Sequence, residues 1–243
     1  MRHLITFIGL ALLSQTAMAQ EYNDLKILFA DGDYEKLVKK AEGYTTNDKT
    51  KYDPVPYFWA AKGLYKISLS GTDDERFKNA YKDAIKFLGK GIKYDLKKND
   101  GQAMEEFNEF VVMFQMTCFN RISNDIEAGD YRKAYSWAGR YKKITQNPVG
   151  VYLIMGACKY QAKDRSSART NWKEADALLP EITGVESWSD ADKQVLMIGI
   201  IETAKAYKMS MQDDKAKDIL GKAAQWFEED EEWQRRYDDY VNS

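Results

Sequence analysis

Apolar and aromatic residues recur at intervals of three and four along most of the chain after residue 22, and alternating, strand-like stretches are sparse. That period puts side chains on one face of an α-helix, so the pattern predicts an all-α protein. It is interrupted at Asp31-Gly32-Asp33, Asp53-Pro54-Val55-Pro56, Gly71, Asn99-Asp100-Gly101, Gly129-Asp130, Asn147-Pro148, residues 180–184 and residues 212–214. Glycine, proline and short polar residues end helices, and between these interruptions there is room for about ten helices of roughly 12 to 20 residues.

The first residues follow another pattern. Arg2 precedes an apolar stretch from Leu4 to Leu13, and Ala17 and Ala19 flank Met18. This is the layout of a secretory signal peptide, with cleavage expected between Ala19 and Gln20. A membrane anchor needs about 20 apolar residues, roughly twice this stretch. The later apolar run from Val195 to Ile201 is also too short to span, so no transmembrane segment is expected in the mature chain. The organisation read from sequence is a cleaved signal at residues 1–19, a helical array at 20–227, and an acidic, aromatic capping helix and tail at 228–243. The expected location is the periplasm of a Gram-negative bacterium, with association to the outer membrane left open.

The helices also repeat a motif. Tyr152, Met155, Gly156, Ala168, Trp172, Ala175 and Pro180 stand at the offsets of a 34-residue helical hairpin, and two Gly-Asp-Tyr turns occur at Gly32 and Gly129. The segment from Tyr81 to Asp95 resembles the second helix of a tetratricopeptide repeat (TPR) along its full length. Five second helices align on Leu37, Ala84, Ala134, Ala168 and Ala216, with spacings of 47, 50, 34 and 48. Only one spacing keeps the TPR period, so extra residues are expected around residues 45–56, 70–78, 96–106 and 181–193. The resemblance implies a right-handed superhelical α-solenoid of about five TPR-like hairpins, closed by the C-terminal helix, where Trp233, Tyr237 and Tyr240 keep helical spacing.

Composition narrows the chemistry. Lys and Arg total 36 against 38 Asp and Glu, a formal charge of -2, which lacks the basic excess of a general nucleic-acid binder. The only histidine is His3, inside the predicted signal. The mature chain therefore has no His for a Ser-His-Asp or Cys-His centre, and Cys118 and Cys158 are too few for a Cys-only zinc site. No cofactor or metal is expected. Register in the repeat separates the two cysteines by about 9 Å of axial rise, added to the distance between helices, which favours free thiols over a disulfide. Glu186-Ser187 is similar to the catalytic Glu-Ser pair of soluble lytic transglycosylases, but the Gly-Leu-Met-Gln stretch and the length for a lysozyme-like domain are both missing.

These features point to a non-enzymatic binding protein. TPR arrays hold peptides in the groove lined by their first helices, and the resemblance places Phe119, Asn120, Ser123, Leu153, Ala157, Tyr160, Ile201, Lys205 and Lys208 there. Leu153 and Ala157 stand where the carboxylate clamp of chaperone-binding members would draw on the fourth unit. Trp188, between polar residues of an insertion, is the candidate for an exposed aromatic contact. Lys78, Lys82, Lys86, Lys90, Lys93 and Lys97 stripe one helix face, and residues 78–98 carry a formal +5. The stripe reads as a solvated face or as a landing strip for anionic lipid, glycan phosphate or an acidic partner. The function expected is that of an exported adaptor or scaffold for protein–protein interaction in a secretion or outer-membrane assembly. A periplasmic receptor for a peptide, glycan or small molecule is the alternative.

Overall fold

The computed structural model describes residues 22–242. The predicted signal peptide, with His3, lies outside these residues. Twelve α-helices and no strands occur among the described residues. They are α1 (Asn23–Ala30), α2 (Tyr34–Thr46), α3 (Pro54–Ser70), α4 (Ala80–Lys98), α5 (Gln102–Glu106), α6 (Asn108–Glu127), α7 (Tyr131–Tyr141), α8 (Val149–Gln161), α9 (Arg165–Leu178), α10 (Asp190–Met209), α11 (Asp213–Phe227) and α12 (Glu231–Val241). Helices α1–α2, α3–α4, α6–α7, α8–α9 and α10–α11 pack as successive pairs, and α12 lies against α10.

Four of the five hairpins turn in the same way. One residue with positive φ is followed by the residue that leads into the next helix: Gly32-Asp33, Gly129-Asp130, Lys163-Asp164 and Met211-Gln212. At Gly129 the left-handed backbone (φ 71°) suits a residue without Cβ. Asp130 and Asp164 then accept hydrogen bonds from the backbone N–H groups of Lys133 and Ser167, capping α7 and α9. The α3–α4 hairpin differs, with a short 3-10 turn at Glu75–Phe77 in its connection.

All five aligned anchors are buried: Leu37 in α2, Ala84 in α4, Ala134 in α7, Ala168 in α9 and Ala216 in α11. The alanines among them let each second helix approach its partner closely. The predicted insertions appear as the 47–53 connection before α3, the 3-10 turn before α4, the short α5, and the 182–189 loop before α10. Ala168 is fully buried in the core of the last hairpins. Replacing it by leucine is expected to cost about 1–3 kcal/mol through overpacking. Lys86→Glu, on an exposed surface, should stay within about 0.5 kcal/mol. Equal denaturant midpoints for the two variants would contradict the packing.

Helices α8 and α10 are apolar nearly all round. Residues 149–151 and 153–158 of α8, and 195–204 of α10, are buried. A helix of that kind belongs inside a fold. One face of α8 (Val151, Ile154, Met155, Cys158) joins the core built by α1–α7, and the other (Val149, Leu153) joins the core of α9–α12. The apolar run of α10 is thus a core helix. No described helix is long and apolar enough to cross a membrane. Cys118 and Cys158 are free, buried thiols, both pushed up to about 12 by burial.

Candidate functional site

The structure redistributes the residues expected to line the first-helix groove. Helix α10 packs against both α8 and α6, so the inner faces of these helices close on one another. Phe119, Ser123, Leu153, Ala157 and Ile201 are consequently buried, and Ser123 donates to Glu127 Oε1 at 3.0 Å. Asn120 is exposed. Lys205 is paired with Glu202 at 2.8 Å, and Lys208 lies over the ring of Tyr240 in α12, 5.3 Å from its centroid. Tyr160 sits apart from these, beside Trp172 and Tyr207. Trp188 is half-buried and packs on the core of the last hairpins, because a turn from Val185 to Trp188 folds it back. It does not line the pocket in which Tyr160 stands with Trp172 and Tyr207.

The lysine stripe, by contrast, becomes one wall of a concave surface. Helix α4 buries Ala80, Ala84, Ile85, Leu88, Gly91, Ile92 and Asp95, which leaves Lys82, Lys86, Lys90, Lys93 and Lys97 exposed on the opposite side. Asp95 turns inward, where it accepts from the backbone N–H groups of Ala103 and Met104 at the start of α5. That withdraws one of the two acids of α4 and leaves Asp83 as the other. Lys97 and Lys98 fall in the last turn, where cations complement the helix dipole.

The second wall comes from α7 and the turn after it. At Gly89 the backbones meet so closely that a Cβ would lie 2.7 Å from the carbonyl oxygen of Lys143. Two concavities adjoin this contact. One, of about 540 Å³, runs between Lys82, Ile85 and Lys86 of α4 and Ser136, Gly139, Arg140 and Lys143. The other, of about 490 Å³, lies among Lys86, Phe87, Lys90, Lys93 and Lys143. A third, of about 350 Å³, shares Asn79 and Lys82 with the first and adds Lys78, Tyr81, Arg121 and Trp137. The three follow one another along α4 as a furrow.

Its charge is strongly one-sided. Lys82, Lys90, Lys93 and Lys143 form no ion pair among the described residues, while Lys86 is held by Asp83 at 2.7 Å and Lys78 by Glu75 at 3.0 Å. Arg121 lies over the rings of Tyr81 and Trp137, at 4.3 and 5.1 Å from their centroids. Arg140 also lies over Trp137, at 4.7 Å, and donates to Ser136 Oγ at 2.6 Å. These contacts orient guanidinium groups that would otherwise wander. Sequence alone does not reveal Arg121, Arg140 and Lys143 as partners of the stripe, because they lie on α6, on α7 and in the turn after it, far from α4 along the chain, and only packing brings them together.

No protein-family model matches this chain. None of the curated proteins matches it either. Functional evidence is therefore the geometry itself. Among the described residues there is no group of three His, Cys, Asp or Glu side chains that could hold a metal ion.

Proposed function

We propose that the chain is an exported, non-enzymatic adaptor, a TPR-like α-solenoid serving a cell-envelope assembly, and that it grips an acidic segment of a partner protein in the α4–α7 furrow. The observation that carries this reading is the furrow, whose two walls set Lys82, Lys86, Lys90, Lys93, Arg140 and Lys143 around one another with Asp83 as the paired acid. From Lys82 to Lys93 it follows roughly 16 Å of helix axis, enough for about five residues of extended peptide. Phe87 and Trp137 give apolar footing between the cations. A peptide that mixes acidic and apolar side chains uses both features, whereas a uniformly charged polymer uses only one. The sequence resemblance favours the first-helix groove instead, but burial of five of its nine positions argues for the furrow.

Capture of partners from envelope extracts by the immobilised mature chain, read by mass spectrometry, tests the proposal. A stoichiometric protein should be retained by the wild type and by Tyr160→Ala/Lys205→Ala. It should be lost from Lys82→Glu/Lys86→Glu/Lys90→Glu and weakened by raised salt, since exposed charges are screened over about 8 Å at physiological ionic strength. Retention by the triple variant, or loss from the Tyr160/Lys205 pair alone, would refute the furrow assignment.

A further inference from the structure

A separate concavity, of about 370 Å³, lies between the α8–α9 and α10–α11 hairpins, inside the size range of small-ligand sites. Its floor is aromatic. Tyr160, Trp172 and Tyr207 stand in a row with ring centroids 6.0 and 5.0 Å apart, the outer rings inclined at 34° and 46° to the indole. The indole N–H of Trp172 is already committed to Thr203 Oγ1 at 3.2 Å, and Thr203 in turn donates to the Leu153 carbonyl. Trp172 is thereby locked, and what it turns to the pocket is apolar.

The rim is cationic. Arg165, Arg169 and Lys173 are spaced four residues apart on α9, line the pocket, and form no ion pair among the described residues. At the far end Gln212 donates to Ser210 Oγ at 2.8 Å, and Asp176 and Lys215, the latter over the Tyr207 ring at 5.7 Å, complete the polar lining. Burial, with Asp176 and Asp218, pushes the Tyr207 hydroxyl up to about 12.

We infer that this pocket binds an acidic sugar, a pyranose ring bearing a carboxylate or phosphate. The apolar C–H faces of a pyranose pack on the row of rings, and the polar side chains around that row suit a ring that carries many hydroxyl groups better than a flat aromatic acid with few. The ring's hydroxyl groups find Asp176, Ser210 and Gln212, and its acid group meets Arg165 and Arg169, whose forked donors match carboxylate and phosphate. The site is independent of the furrow.

Calorimetric titration of the mature protein with millimolar probes tests it. D-glucuronate and glucose 6-phosphate are the acidic rings, and the tighter of the two identifies the acid group. Glucose supplies the ring without charge, gluconate the charge without a ring, and benzoate a flat aromatic acid. At least one acidic sugar should bind, with glucose and gluconate each about tenfold weaker or more, the loss of one charge-assisted contact set. Arg169→Ala, an exposed position that leaves the fold intact, should weaken the acidic sugar to a similar extent, and Tyr160→Ala should do so for glucose as well. Lys82→Glu/Lys86→Glu/Lys90→Glu should change nothing here, which separates failure of this site from failure of the furrow. Absence of binding by both acidic sugars, equal binding by gluconate, or tighter binding by benzoate would overturn the inference.

Discussion

Replacing Gly150 by alanine is expected to destabilise the protein by about 1–3 kcal/mol, although alanine is the better helix former. The added Cβ would lie 2.6 Å from both N and Cα of Leu196 and 2.7 Å from the carbonyl carbon of Val195. These are backbone atoms of α10, so no side chain can swing aside. On the facing helix, a Cβ at Gly199 would lie 2.6 Å from the carbonyl oxygen of Gly150. The two glycines therefore mark one backbone-to-backbone crossing of α8 on α10. Separating these helices would loosen the central packing of α10, which also lies against α6. Gly221→Ala in α11 is the matched control, because nothing lies within 4 Å of its Cβ position. It should gain about 0.5–1 kcal/mol from propensity alone. For a domain of this size each kcal/mol moves Tm by about 2–4 °C, so thermal unfolding should shift the two variants in opposite directions. A Gly150→Ala protein as stable as Gly221→Ala would show that the helices do not cross here.

What the sequence revealed and what it hid divide along the range of the interaction. Helical period is local, and so the anchors Leu37, Ala84, Ala134, Ala168 and Ala216 are legible and all buried. Gly156 and Trp172 are legible for the same reason: they keep the spacing of one hairpin, and the indole lies where a Cβ on Gly156 would stand. The turns at Lys163 and Met211 are harder to see, since they adopt the positive φ of Gly32 and Gly129 without being glycine. The contact of α10 with α6 has no local signature at all, and neither has the burial of Phe119 and Ser123 on α6. One signal that was available is the period of Arg165, Arg169 and Lys173. They repeat every four residues like the lysines of α4, and that spacing marks a cationic face.

Asp192 belongs with the long-range features, and its removal is the other large effect expected. Its carboxylate is buried at the start of α10 and accepts three side-chain hydrogen bonds: from Tyr141 at 2.8 Å, Thr145 at 2.7 Å and Asn147 at 3.0 Å. These donors lie 45 to 51 residues away and tie the α7–α8 connection to α10. Asp192→Ala leaves the fully buried Tyr141 hydroxyl without its acceptor, while half-buried Thr145 and Asn147 can recover water. The expected cost is about 2–4 kcal/mol. Asp192→Asn should cost less, because its carbonyl oxygen still accepts from Tyr141 and Thr145, and the Asn147 amide can turn to accept from the new N–H. Comparing the wild type with Asp192→Asn also isolates the charge. Burial outweighs the hydrogen bonds and raises the Asp192 carboxyl above its ordinary value. The native state then holds the proton more tightly than the unfolded chain, so this group adds stability as pH falls through the raised value and levels off below the unfolded value of about 3.9. Other titrations cancel in the difference between the two proteins. Denaturant unfolding of both from pH 7 to pH 4 should show that difference moving in favour of the wild type as acid is added. A difference that stays flat, or moves toward the variant, would mean that the carboxylate is solvated and that the α7–α8 connection is not tied to α10 through it.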